Sequence, residues 1–224
     1  MKILSLSDVV LSRIYSPQVR ALFGDIDLVL GCGDLPYYYL EFIESMLDAP
    51  TYFVRGNHAE VVEYYESGPQ THPYGTVDLH RKIVNHNGVL LGGVEGSIRY
   101  RRGPFQYSQS EMWLNILKLV PGMIKNRILY GRYLDIFVTH APPWGIHDQP
   151  DLPHHGVKAF LWLLKVFQPA YHFHGHVHIY RPDTETHTRY YNTDVINTFG
   201  HLVTNIDIES SIQSRVETKQ QVVK

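Results

Sequence analysis

The sequence predicts an α/β protein of two stacked mixed β-sheets flanked by helices. Three observations carry this. Short apolar runs of strand length recur along the chain: Ile3-Leu4-Ser5-Leu6, Asp27 to Leu30, Thr51 to Val54, Val89 to Val94, Asp135 to Thr139 and Ala170 to His174. Segments with helical spacing lie between several of them, which favours βαβ units and parallel pairing. Five runs also end on oxygen- or nitrogen-bearing side chains, the edge where open α/β sheets bind ligands.

Taken in order, Lys2 to Leu6 is a strand, and Pro17 opens a short helix to Phe23. Asp27 to Leu30 is a buried strand, and Gly31-Cys32-Gly33 lets the chain turn sharply and leaves Asp34 at the strand's end. Tyr37 to Met46 has helical apolar spacing, with Tyr37 or Tyr38 able to line a pocket mouth. After the strand at Thr51 to Val54, Glu60 to Tyr65 reads as helical, and Ser67-Gly68-Pro69 and His72-Pro73 mark a loop. Val89 to Val94 opens a second sheet. Glu111 to Arg132 is expected to be helical, interrupted at Pro121-Gly122, and to act as a lid. Asp135 to Thr139 returns to the sheet, Gly156 to Phe167 is an amphipathic helix, and Ala170 to His174 is a strand. A meander of Arg189 to Asn192, Val195 to Thr198 and Leu202 to Ile208 is expected to complete the second sheet, with a polar, frayed tail from Glu217. No linker or repeat divides the chain, so 1–224 reads as a single domain.

At 224 residues, one core can bury roughly 70–75% of the unfolded chain's surface. A net charge of -2, from 20 Lys+Arg against 22 Asp+Glu, gives no footprint for nonspecific binding of long nucleic acid. The single cysteine excludes an intrachain disulfide, and Cys32 reads as a small buried residue rather than a nucleophile. Five residues between Lys2 and Asp8 are too few for a signal peptide's apolar region, and no run approaches membrane-spanning length. The expectation is therefore a cytoplasmic protein with no membrane partner and an open oligomeric state. Of the 14 histidines, His72, His86, His187 and His201 fall in polar surroundings and read as surface residues.

A nucleotide-binding reading of Gly31-Cys32-Gly33 is weak, because the third glycine is missing and Asp34 would repel a pyrophosphate. A carboxylate there suits a cation. The other ends supply its partners: Asp8, Asn57 with His58, His140, and His174 through His178. Oxygen and imidazole ligands at five strand ends are what converging loops need to hold a metal.

Asp8 in Leu6-Ser7-Asp8, Gly33-Asp34, Gly56-Asn57-His58, Thr139-His140 and Gly175-His176-Val177-His178 together resemble the signature blocks of the calcineurin-like metallophosphoesterases. The resemblance implies a four-layer αββα sandwich and two divalent metal ions, manganese by preference, with iron, zinc or nickel as alternatives. It assigns Asp8, Asp34 and His178 to site one and Asn57, His140 and His176 to site two, with Asp34 bridging both and a bridging water as nucleophile. Asp34, Asn57 and His58 become catalytic residues, His58 as the group that contacts phosphate and protonates the leaving oxygen. Two departures stand out. Val10 replaces a histidine common in the family, which leaves site one a ligand short and expected to be weaker. Ala59 replaces an acidic residue after His58, whose orientation would then fall to Glu60 or a backbone carbonyl.

Ser97 to Pro104 concentrates three arginines, and Arg99 or Arg102 is expected to hold a phosphate oxygen, a solvated loop being the alternative. His147 and Asp148 are near enough in sequence to support the ligands, while His172 and His174 read as structural. The leading reading is a phosphoesterase acting on a small or cyclic nucleotide-type phosphodiester. An inactive interaction module and a nuclease are the competing readings.

Overall fold

The computed structural model describes residues 1–207. In chain order the elements are β1 (Lys2–Ser7), α1 (Val19–Phe23), β2 (Leu28–Cys32), α2 (Tyr37–Leu47), β3 (Thr51–Val54), β4 (Glu63–Tyr65), β5 (Gly68–Gln70), β6 (Thr76–Asp78), β7 (Ile83–His86) and β8 (Val89–Val94). There follow β9 (Ser97–Ile98), β10 (Gln106–Tyr107), α3 (Gln109–Tyr130), β11 (Ile136–Thr139), α4 (Lys158–Phe167), β12 (Tyr171–His174), β13 (His187–Tyr190), β14 (Thr193–Asn197) and β15 (Gly200–Asn205). The first sheet has the order β15-β1-β2-β3-β6 and the second β13-β14-β12-β11-β8-β7. β1, β2, β3 and β6 are parallel, as are β8, β11, β12 and β14, and β15, β13 and β7 are antiparallel edges.

Period-two alternation within these strands makes three apolar layers, because successive side chains point to opposite faces. Leu4, Leu6, Val29 and Phe53 pack with Tyr39, Leu40 and Ile43 of α2. Ile3, Leu28, Leu30, Val54, Leu91, Ile136, Val138 and Phe173 meet between the sheets. Leu90, Val94, Phe137 and Val195 pack with Met112, Ile116, Leu119 and Met123 of α3 and with Phe160, Leu163 and Leu164 of α4. The result is the αββα sandwich expected from the motifs.

Five expectations about elements need correction. β2 continues through Gly31 and Cys32, so the turn falls at Gly33-Asp34. Glu63 to Tyr65 is a strand paired with β5, held there because the Glu63 carboxylate accepts the Tyr37 N–H at the start of α2 and the Tyr37 hydroxyl donates to the Glu60 carbonyl. β7, not β8, opens the second sheet, joined to it through Asn87-Gly88 with positive φ at both residues. α3 runs unbroken through Pro121, a residue that costs a helix interior roughly 3 kcal/mol. Buried residues on both sides of Pro121 hold α3 against the sheet, which also removes the expected lid. The last described strand joins the first sheet, antiparallel to β1, so the meander ends at β14. Ile208 and the tail from Glu217 lie outside the described residues.

Inside the second sheet and beside it sit histidines that burial keeps neutral. His172 is fully buried, its Nε2–H donates to Thr139 Oγ1, and its Nδ1 has no hydrogen-bond partner among the described residues. Burial pushes its pKa from 6.5 down to about 3. Burial and then the neighbouring Arg81 charge push His80 down to about 4. Between pH 6.5 and these values the unfolded chain takes up protons that the fold refuses, so stability falls as pH falls, by about 1.4 kcal/mol per pH unit for each imidazole. Urea unfolding across pH 6.5 to 4.5 should show this slope, and His172→Leu should reduce proton uptake at pH 5 by about one proton. An unchanged slope in that variant would contradict the assignment.

Candidate metal centre

The ends of β1, β2, β3, β11 and β12 are followed by Asp8, Asp34, Asn57, His140 and His176. Asp8, Asp34 and His176 hold left-handed backbone, with φ of 66°, 54° and 69°. For non-glycine residues such conformations cost about 1–3 kcal/mol each and persist where surrounding packing imposes them. The motif glycines follow from the crowding that results. A Cβ at Gly56 would lie 2.0 Å from Asp34 Oδ1, and one at Gly175 would lie 1.6 Å from Ser7 Oγ.

Four donors converge on one point. His140 is fully buried, and its Nδ1–H donates to the Cys32 carbonyl at 2.9 Å, which turns Nε2 inward. Around that Nε2 stand Asp34 Oδ2, Asn57 Oδ1 and His176 Nδ1, each at 3.1 Å. His176 Nε2–H donates to the Pro153 carbonyl, and the Asn57 amide nitrogen donates to the Tyr100 hydroxyl, so both ligand atoms are turned inward by partners behind them. Donors bound to one divalent ion at about 2.1 Å stand roughly 3.0–3.4 Å apart, a spacing that all three distances to His140 Nε2 match. Asp34, His140 and His176 alone already form a possible metal-ligand triad.

Electrostatics point the same way. Burial pushes the Asp34 carboxyl up, but the His140 charge beside it prevails and holds it at about 2. Burial opposes the His140 cation, yet Asp34 prevails and lifts it to about 9. A buried carboxylate here demands a positive charge, and a proton on His140 is what meets that demand. His176, by contrast, is pushed by burial and by His140 down to about 3, which keeps it neutral and able to bind a metal.

The other expected site is looser. Asp8 accepts the His176 N–H and the Ser7 hydroxyl, while His178 Nε2 lies 3.7 Å from Asp8 Oδ1 with a side chain 41% exposed. Asp34 Oδ1 accepts the His58 N–H at 2.8 Å, leaving Oδ2 to His140. Val10 is half-buried against the layer between α2 and the first sheet. Cys32 is buried, with its thiol pushed up to about 12.

His58 and the arginine loop meet at the rim. Arg99 donates to the Gln106 carbonyl and to Glu111, and Arg102 is exposed. Arg101 is the arginine whose Nη2 lies 3.2 Å from His58 Nδ1. Nothing in the run separates Arg101 from its neighbours in sequence; in the fold Arg99 is tied to Gln106 and Glu111, while the Gln106 side-chain oxygen accepts the Tyr100 and Arg101 N–H groups. Among the described residues the partner of the His58 ring is Arg101, not Glu60 or a backbone carbonyl. A cleft of about 540 Å³ opens beside Asp34 and His58, walled by Tyr38, Glu60, Glu63, Tyr64 and Tyr65. Tyr37 is buried beneath it.

The nearby histidines divide by contact. His147 bonds His174 and Thr188, and Asp148 accepts the Gly156 N–H, so the hydrogen bonds of both go to residues other than the expected ligands. His154, paired with Asp151, instead lays its ring 5.4 Å from that of His176.

Residues 1–180 match the calcineurin-like phosphoesterase family. A UPF0046 protein of Caenorhabditis elegans is 28% identical over 69% of this chain and 57% of its own length. A lariat debranching enzyme of Drosophila melanogaster is 28% identical over 68% of this chain and 37% of its own length. The chain thus spans little more than half of the first of these curated relatives and about a third of the second. Among solved structures, TT1561 of Thermus thermophilus superimposes with a TM-score of 0.60 at 15% identity, covering 94% of this chain and 95% of that one. Another shares 17% identity at a TM-score of 0.64, covering 90% and 93%. At these identities the likeness is one of fold.

Because a Cβ at Gly56 would fall 2.0 Å from Asp34 Oδ1, Gly56→Ala should displace the Asp34 carboxylate. Calorimetric titration with manganese should show affinity falling at least about tenfold. Wild-type affinity in that variant would mean that Asp34 is not held as described.

Proposed function

The chain belongs to the calcineurin-like phosphoesterase family, and on that premise we propose that it is a dinuclear, metal-dependent phosphodiesterase acting on a small or cyclic nucleotide-type phosphodiester. The observation that carries this reading is the meeting of Asp34, Asn57 and His176 donors on His140 Nε2. Asn57, His140 and His176 would hold one ion, Asp8 and His178 the other, and Asp34 both. Two divalent cations held there supply charge stabilisation at the phosphoryl group and a nucleophile at neutral pH. Manganese is the preferred ion. Residues 1–224 act as one domain, a reading supported by β15, which returns from the far end of the described chain to pair with β1.

The protein's own groups divide the remaining work. An arginine has donors only, so His58 Nδ1 accepts from Arg101 and the ring proton lies on Nε2, where it can pass to a leaving oxygen. Arg101 supplies the phosphate contact assigned in sequence to Arg99 or Arg102, and Arg99 holds the loop that presents it. Glu60 and Glu63 in the cleft support a diester over a monoester, because a terminal phosphate carries about -1.5 to -2 charge at pH 7 and a diester only one. Tyr38, Tyr64 and Tyr65 offer ring faces to a base. The fly relative's name, a lariat debranching enzyme, supports phosphoesterase chemistry.

Manganese-stimulated hydrolysis of an aryl phosphodiester should be lost in Asp34→Asn and in His140→Ala, with far-ultraviolet dichroism retained. Full activity in either variant would sink the reading, and so would metal-replete wild-type protein with no diesterase activity. Arg101→Ala should raise KM more than it lowers kcat, whereas unchanged kinetics would return the loop to solvent.

The exposed His178 and the valine at position 10 make the two sites unequal. Limited chelation should leave about one tightly held ion per chain, and activity should return as a weaker second equivalent is added. Val10→His should tighten that second step where the ring can leave the apolar layer, a condition read from an unchanged urea midpoint. Two equivalents of equal affinity in the wild type would contradict the inequality.

A further inference from the structure

We propose that the outer face of α3, with α4 beside it, is a docking surface for an anionic lipid bilayer. α3 is apolar on two sides. Met112, Ile116, Leu119 and Met123 are buried against the second sheet, whereas Leu114, Leu117, Pro121, Ile124 and Ile128 recur at three- and four-residue spacing on the open side. That stripe is about 21 Å long at 1.5 Å per residue. Leu117, Ile124 and Ile128 are 49%, 48% and 78% exposed. An apolar helix stripe normally faces a core; α3 has one that does and one that faces outward.

The charges beside the stripe choose the occupant. Lys118 and Lys125 border it on one side and Arg127 on the other, and no Asp or Glu occurs from residue 112 to residue 134. Glu111 at the start of the helix is paired with Arg99, and Asp135 after it is buried against Arg132. α4, joined to α3 through the Trp113 and Trp162 rings, adds exposed Lys158, Lys165 and Val166, again with no carboxylate between residues 156 and 168. A face this basic stands out on a chain whose net charge is -2. In a twofold dimer the face would meet itself, and its lysines would find only one another. Aliphatic side chains interleaved with lysines are instead the composition of helices that lie in the headgroup region of anionic membranes. No described helix is long and apolar enough to cross a membrane, so the helix lies on the surface. This departs from the expectation, drawn from run length alone, of no membrane partner.

Flotation of the full chain with phosphatidylcholine vesicles, with and without phosphatidylserine, tests the proposal. The wild type should float with the phosphatidylserine vesicles and be released by high salt. Lys118→Glu with Lys125→Glu, and separately Ile124→Asp with Ile128→Asp, should each lower the partition coefficient at least about tenfold, with the urea midpoint and aryl phosphodiester hydrolysis unchanged. Absence of wild-type flotation would overturn the proposal, as would partition insensitive to both double variants. A dimer seen by light scattering and dissolved by Ile128→Asp would overturn it in favour of a second copy of the chain.

Discussion

The fully buried imidazole of His140 is the point on which the sheet edges depend. Its Nδ1–H is fixed by the Cys32 carbonyl at the end of β2, and its Nε2 faces donors that follow β2, β3 and β12. Asp34 and Asn57 come from the first sheet, His140 and His176 from the second. The same cluster therefore closes the sandwich at one edge and concentrates its ligands there. Breaking a buried pair by removing one partner commonly costs about 3–5 kcal/mol, so the reciprocal shifts of Asp34 downward and His140 upward describe a coupling that the fold must keep satisfied.

Other features follow from bringing so many polar groups to one edge. Asp8, Asp34 and His176 occupy left-handed backbone, where a non-glycine residue is strained. Three apolar layers, with every residue of β2, β3, β8 and β11 buried, can bear that strain. The crowding also explains why Gly56 and Gly175 stand where they do: each lies against a ligand-bearing residue that leaves no room for a methyl group. Where the packing relaxes, at His178 and the arginine loop, side chains become exposed.

The layering and the polar residues that gather at one sheet edge were legible in the sequence because both are local signals. Apolar runs of strand length announce β1, β2, β3, β11 and β12, and the residue after each run is fixed at the edge by chain direction alone. What was not legible depends on partners far away in sequence. Glu63 becomes strand because of Tyr37 in α2, β15 pairs with β1 across some two hundred residues, and α3 passes through Pro121 because residues on both sides are buried. Arg101 could not be told from Arg99 until β9 and β10 fixed the loop. The Asn87-Gly88 hairpin was readable locally and was passed over. The open face of α3 shows the opposite limit, for its apolar spacing was plain but only the fold reveals which half of it is covered.

The proposed function requires that these strand ends form one site in which Asp34 is shared by two cations. Electron paramagnetic resonance during a manganese titration tests it most directly. A six-line signal of an isolated ion should appear at the first equivalent and give way to a spin-coupled multiline spectrum as the second enters. A spectrum that stays that of isolated ions at two bound equivalents, or a protein that binds no second ion, would contradict it.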